Sequence, residues 1–342
     1  MTSSRAESLD IARGFAIILV VVLHASPVKL PPVFAAANHA FGLLRMPLLM
    51  LISGYLSAML VAAGRSLNGR IAHFAWLFGL WSLILTACNV LMSGHVAATS
   101  YFLGQFLRPT TAMWFIWLLA IASLTVTALK RVDPRLILLA SATVATVAKF
   151  ILLDEPVGNE GFAYDCALRH SFFFFLGFYH GSGIMAFARA QKPYFSLVCV
   201  AGLVLSRLVD SLIGWELFGL VERLIACVLA IFGCEWLSGV KLLSRPIQWV
   251  GRRTLPIYLA HTALIPIVYL VVGDTWADPT TVVLCVATSS ILISLLLQKL
   301  AIRAGAPWLY ALPQSFTRVS IGSNKRAQHD SEQVAIPGQI RS

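Results

Sequence analysis

Apolar runs of about twenty residues, following one another along almost the whole chain, constrain the fold more than any other feature. They cover 11–30, 43–63, 71–92, 112–129, 135–153, 170–187, 194–213, 217–238, 255–273 and 280–301. At 1.5 Å per residue, a helix of that length crosses most or all of a hydrocarbon layer about 30 Å thick. A backbone in lipid must satisfy its own hydrogen bonds, so such runs predict helices. The expected fold class is therefore all-α: a polytopic integral membrane protein of about ten transmembrane helices. Charged residues make up only 12% of the chain, against about 25% in soluble domains. With 58% apolar residues, an ordinary soluble enzyme is excluded. A shorter run, Phe102–Leu107, cannot span and reads as a re-entrant or interfacial piece.

The net charge of +11 would suggest nucleic acid on a soluble protein. Here the basic residues sit in short segments between apolar runs, so nucleic acid is not an expected partner and the lipid bilayer is. With the N-terminus placed in the cytoplasm, eighteen basic residues fall on that side. Among them are Arg5, Arg65, Lys130, Arg131, Arg135, Lys192, Lys241 and Arg245. Only Lys29, Arg45, Arg108 and Arg169 fall opposite, with the acidic residues Asp154, Glu155, Glu160 and Asp165. The positive-inside bias thus predicts two cytoplasmic termini. Residues 1–313 read as one membrane-embedded domain, and 314–342 as a polar, disordered cytoplasmic tail. Glu7, Asp10 and His24 argue against a cleaved signal peptide, so the first helix is expected to be retained. Six cysteines show no CxxC pair, and no metal site is expected. No internal repeat is visible.

Ionisable groups inside a bilayer are costly and are functional candidates by default. In the first helix, nine apolar residues separate Gly14 from His24. Arg13 and His24 are eleven residues apart, close to three turns, so they share a face about 16 Å apart along the axis. A neutral imidazole at that depth suits a general base for acyl transfer. It equally suits a histidine hydrogen-bonded between helices, and the residues alone leave both readings open. Arg70 and His73 share a face at i, i+3 and could meet phosphates or simply anchor the helix. His261, with Tyr258 one turn earlier, is site-lining or structural. Arg169 and His170 stand at the outer mouth of the sixth run, where an acceptor would arrive. Arg207 with Asp210, and Glu222 with Arg223, read as intramembrane pairs without a required function. Ser53-Gly54-Tyr55 and Gly181-x-Gly183 read as points of close helix approach, and most of the nine tryptophans as an interfacial belt.

The stretch SLDIARGFAIILVVVLH resembles the opening helix of the acyltransferase-3 family of membrane-bound, ten-helix O-acyltransferases that modify sugars and surface glycans. Further matches follow in the family's order: RMPLLMLISGYL at 45–56, MWFIWLLA at 113–120, RHSFFFFLGFYHG at 169–181 and GRRTLPIYLAH at 251–261. The resemblance runs from about Ser8 to about Leu300. It implies an acyl donor, usually acetyl-CoA, arriving from the cytoplasm, and a sugar or glycan hydroxyl as acceptor at or beyond a bacterial inner membrane. No permanently bound cofactor is implied, and a homo-oligomer is left open. By the motif, His24 corresponds to the family's essential histidine, and Arg13 and Asp10 to its Asp-x-x-Arg-Gly start. His261 matches a recurrent family histidine. In this reading His24 is a general base or, alternatively, an acyl-carrying nucleophile, and Arg13 with Arg70 holds the CoA phosphates. One departure is the pair Arg65 and Arg70, five apart, where the family often has Arg-x-Arg; it puts this loop's donor-binding contribution in doubt. The competing class is a transporter or flippase for a small polar or lipid-linked molecule, using the same buried charges as a pathway.

Overall fold

The computed structural model describes residues 3–26, 40–93, 113–151, 162–213, 219–272 and 278–313, with Gly104 and Pro109 in isolation. Helices dominate, and no strand occurs among the described residues. In chain order they are α1 (Ser3–His24), α2 (Arg45–Ala62), α3 (Asn68–Ser93), α4 (Trp114–Ala128), α5 (Pro134–Ile151) and α6 (Phe162–Ala190). Then come α7 (Tyr194–Ile213), α8 (Gly219–Leu237), α9 (Lys241–Gly251), α10 (Thr254–Val272) and α11 (Pro279–Arg303), closed by a 3₁₀ turn, Pro307–Leu309. Five segments are long and apolar enough to cross a membrane: Ala40–Ala62, Asn68–Met92, Tyr164–Ala190, Thr254–Val272 and Pro279–Arg303. The chain is a multi-pass membrane protein. Apart from Gly104, the short run Phe102–Leu107 lies outside the described residues, as do the tail 314–342 and the loop carrying Asp154, Glu155 and Glu160. The side chains of Arg207 and Asp210 lie outside them too.

Small residues set the closest helix contacts, as they must where lipid supplies no hydrophobic drive between helices. α2 packs along α6 through a reciprocal glycine pair. A Cβ at Gly54 would overlap the Phe174 carbonyl, and one at Gly177 the Leu51 carbonyl. Gly181 lies against the Tyr55 ring, whereas nothing approaches Gly183 within 4 Å. Only the first of the two residues in that expected glycine pair therefore serves packing. Phe173 and Phe174 of α6 and Leu48, Met50 and Leu51 of α2 are fully buried at this seam.

A second reciprocal pair joins α1 to α9. A Cβ at Gly14 would overlap the Ile247 carbonyl, and one at Gly251 the Asp10 carbonyl. α9 has 11 residues and is too short to span. It presents Leu242, Leu243 and Trp249 outward together with Lys241 and Arg245, a composition suited to a membrane interface. Ion pairs reinforce this end of the bundle. Lys241 meets Glu7 at 2.8 Å, and Glu235 accepts from Ser8 at 2.8 Å and lies 3.7 Å from Arg189. Elsewhere, exposed Leu197, Val198, Val204, Leu205 and Leu208 give α7 a continuous apolar outer face. Such a face is costly in water and at ease in lipid.

After α11 the chain doubles back over α3. The indole nitrogens of Trp76 and Trp81 donate to the carbonyls of Trp308 (2.8 Å) and Leu309 (2.7 Å). Tyr310 is buried with its ring 5.6 Å from that of Trp81. These two tryptophans therefore fasten a strap of the chain as well as standing on a helix that reaches the interface.

Candidate active site

A cavity of about 320 Å³ opens between α1, α2, α3, α4 and α10. Its polar lining comes from Arg13, Arg70, His73, Ser53, Thr254 and Tyr258, and its apolar wall from Ile17, Leu49, Leu56, Phe74, Phe115, Ile116, Leu119 and Leu255. Two guanidinium groups and an imidazole, half-buried among apolar side chains, form a low-dielectric basic site. There an anion is attracted more strongly than at an open surface.

The α1–α9 glycine contact brings the α10 start beside Arg13. The Arg13 guanidinium donates to the Thr254 hydroxyl at 2.8 Å and lies 3.9 Å from Asp10, whose carboxylate also meets Arg252 at 3.0 Å. Asp10 thus stands between two arginines rather than serving Arg13 alone, and the neutral Thr254 anchor leaves Arg13 its charge. Arg70 lies with its guanidinium 5.0 Å above the Phe74 ring, and its Nε is buried without a hydrogen-bond partner. His73 Nδ1 accepts the Leu312 backbone N–H at 3.3 Å.

Tyr258 of the lining is buried, with its ring 5.1 Å from Phe115 and 5.7 Å from His261. His261 is fully buried, and its ring lies 5.1 Å from that of His24. Its Nδ1 stands 2.8 Å from the Tyr258 carbonyl and 3.1 Å from the Ile257 carbonyl. Carbonyls only accept, so the proton sits on Nδ1 and the lone pair on Nε2, which has no hydrogen-bond partner. His24 itself is exposed at the end of α1, with Arg45 of α2 in electrostatic range. The Tyr269 hydroxyl donates to the Ala25 carbonyl and ties this end of α1 to α10. Arg13, Arg70, His73 and Tyr258 therefore share one cavity, and ring contacts run from Tyr258 to His261 and on to His24.

Arg169 and His170 stand apart from that cavity. Arg169 Nε pairs with Asp165 at 2.5 Å on its own helix. His170 stacks on Trp114 at 5.8 Å, with a buried, unpartnered Nδ1 and Arg223 in electrostatic range. The buried Glu222 accepts from Ser206 of α7 at 3.0 Å. The sequence gives Thr254, Arg252 and the Leu312 amide no place among the candidate site residues. The spacing Thr254, Tyr258, His261 repeats at i, i+4, i+7 and marks one face of α10, which could have revealed the first. The Leu312 contact spans 239 residues and has no local signal.

A multi-pass helical bundle, with a basic cavity and a pair of neighbouring histidines behind its Tyr258, suits group transfer at a membrane. Residues 6–299 match the profile of the acyltransferase-3 family, described as an acyltransferase domain. The match covers most of the chain, which belongs to this family and is an acyltransferase. No curated protein and no solved structure matches it.

Proposed function

We propose that the protein is a membrane O-acyltransferase that moves an acyl group, acetyl in the first instance, from cytoplasmic acyl-CoA to a sugar hydroxyl of an exported or cell-surface glycan. The observation carrying this reading is that Arg13, Arg70, His73 and Tyr258 line one cavity and that ring contacts connect Tyr258 to His261 and His24. Ligand pockets run from roughly 300 to 1,000 Å³. A cavity of about 320 Å³ suits the acyl-bearing arm of the donor rather than the whole molecule. The charged nucleotide stays at the Arg13 and Arg70 end, and the thioester reaches inward past Tyr258.

His24 then takes the proton of the acceptor hydroxyl as its oxygen attacks the thioester carbonyl. The C–S bond breaks, CoA leaves as thiolate, and the proton held by His24 restores the thiol. The His261 ring, 5.1 Å from that of His24 and with no other hydrogen-bond partner on its Nε2, stabilises the imidazolium formed on His24, which makes His261 a positioning residue. The charge bias of the loops supports ten spans with both termini in the cytoplasm of a bacterial inner membrane, and the Arg13 end of the cavity facing the donor pool. Membranes containing the protein, incubated with radiolabelled acetyl-CoA, should deposit label on glycan, and glycan mass spectra should shift by an acetyl group only when the gene is present. Label confined to free acetate, with unchanged glycan, would sink the proposal.

A further inference from the structure

The segment after α11 lies beyond the residues matched by the family profile, yet it reaches the cavity. Three hydrogen bonds seat it on successive turns of α3: Trp81 to Leu309, Trp76 to Trp308, and the Leu312 amide to His73. His73 lines the cavity. We propose that residues 307–312 form a strap that positions His73 as a hydrogen-bond donor to an oxygen of the acyl donor. This inference rests on the cavity being the donor site.

The chemistry follows from the tautomer. A neutral imidazole carries one proton, and Nδ1 accepts the Leu312 N–H, so that proton must sit on Nε2. The strap therefore keeps His73 a donor without requiring it to be charged. Freed from the strap, the neutral ring can present either a donor or a lone pair, and only the imidazolium donates from both nitrogens. The charged and titratable groups around it are Arg70 on the same helix, Arg13 on α1, Tyr258 on α10 and Tyr310 on the strap. α2 and α4 bring no titratable side chain to the described lining. The arginines keep their charge throughout, which leaves His73 as the group whose protonation the pH series changes.

The test measures CoA affinity by calorimetry on the full-length protein from pH 5.5 to 8, for wild type and Leu312→Pro, which removes the amide. The ratio of the two affinities cancels the titration of the ligand's own phosphate. That ratio should lie near one at low pH, where an imidazolium donates in both proteins. It should fall roughly three- to tenfold as pH rises and the imidazolium gives up its second proton, the worth of one hydrogen bond. A ratio independent of pH would overturn the strap's role. Trp76→Phe/Trp81→Phe, which unpins the strap while leaving His73 and Leu312 in place, should reproduce the pH-dependent loss and serves where Leu312→Pro does not fold. His73→Gln, with an amide N–H near the Nε2 position, should bind CoA better than His73→Asn, which keeps only the acceptor for Leu312. The reverse order would also overturn the inference. Arg13→Ala and Arg70→Ala separate the two levels. If neither weakens CoA binding, the donor-site reading fails; if both do and the strap variants behave as wild type, the strap inference alone fails.

Discussion

Replacing Arg13 by alanine tests the assignment of the cavity most directly. The guanidinium is held by Thr254 at 2.8 Å and flanked by Asp10 at 3.9 Å, with its side chain 29% exposed. Truncation does not strand Asp10, which keeps Arg252 at 3.0 Å. Thr254 loses a donor to its hydroxyl, a neutral group for which one hydrogen bond counts about 1 kcal/mol. The cost in stability should therefore stay within about 1 kcal/mol. Donor binding should suffer more. A charge-assisted hydrogen bond contributes about 1.5–3 kcal/mol, or roughly 10- to 150-fold in affinity. Arg70 remains, so binding should be weakened rather than abolished and should recover partly with more donor. Arg13→Lys keeps the charge without the planar fork and should fall between the two. Thr254→Val removes only the anchor, and a loss of about 1 kcal/mol corresponds to roughly fivefold. Calorimetry with CoA on purified protein gives the affinities, and turnover at saturating acetyl-CoA on the same samples gives the catalytic step. If Arg13→Ala bound CoA as wild type does while turnover collapsed, the donor could not lie at this end of α1.

His24→Ala should abolish acyl transfer and leave CoA affinity within about twofold, because the lost group acts on the acceptor hydroxyl. Gly14→Ala should cost about 1–3 kcal/mol, since its Cβ meets the backbone of α9 rather than a yielding side chain. Gly183→Ala, with nothing within 4 Å, should not lower the unfolding temperature in detergent. Asp278 caps α11 by accepting from the Thr281 hydroxyl and from the Thr280 and Thr281 amides, which holds its carboxyl below the usual range. Its contribution to stability is then present above the ordinary carboxylate value of about 3.9 and is lost as pH falls through the lower folded value. Asp278→Asn should flatten that acid-side dependence in a thermal melt. A reporter fused after Leu129 should read cytoplasmic; an external reading there would break the ten-span topology.

Ten of the described helices overlap the ten apolar runs, because a lipid-embedded backbone leaves few alternatives to helix. α9 is the exception. Its 11 residues carry two basic residues, Lys241 and Arg245, and a proline, so its sequence reads as a charged connection between spans. Only its seat against Gly14 makes it part of the site, since that contact places Arg252 and Thr254 beside Asp10 and Arg13. The candidate side chains were legible for a different reason. A charge or an imidazole within or beside an apolar run is conspicuous, so Arg13, His24, Arg70, His73 and His261 stand out one by one.

What the chain decides by itself is which residues are buried in lipid as helices and which of them are chemically out of place there, since both follow from the local balance of apolar and polar groups. Which of those residues meet is decided by packing. His24 and His261 are separated by most of the chain and stand 5.1 Å apart because α1 and α10 lie side by side. His73 and Leu312 meet because two indoles on α3 hold the returning strap. Arg169 and His170, equally conspicuous in sequence, are turned by α6 toward Asp165 and Trp114 and away from that cavity. Polarity in a membrane marks a residue as expensive wherever it sits, but a partner 200 residues away becomes a neighbour only through tertiary contacts, such as the backbone approaches at Gly14, Gly251, Gly54 and Gly177, and the steric fit behind those contacts is a property of two helix surfaces together.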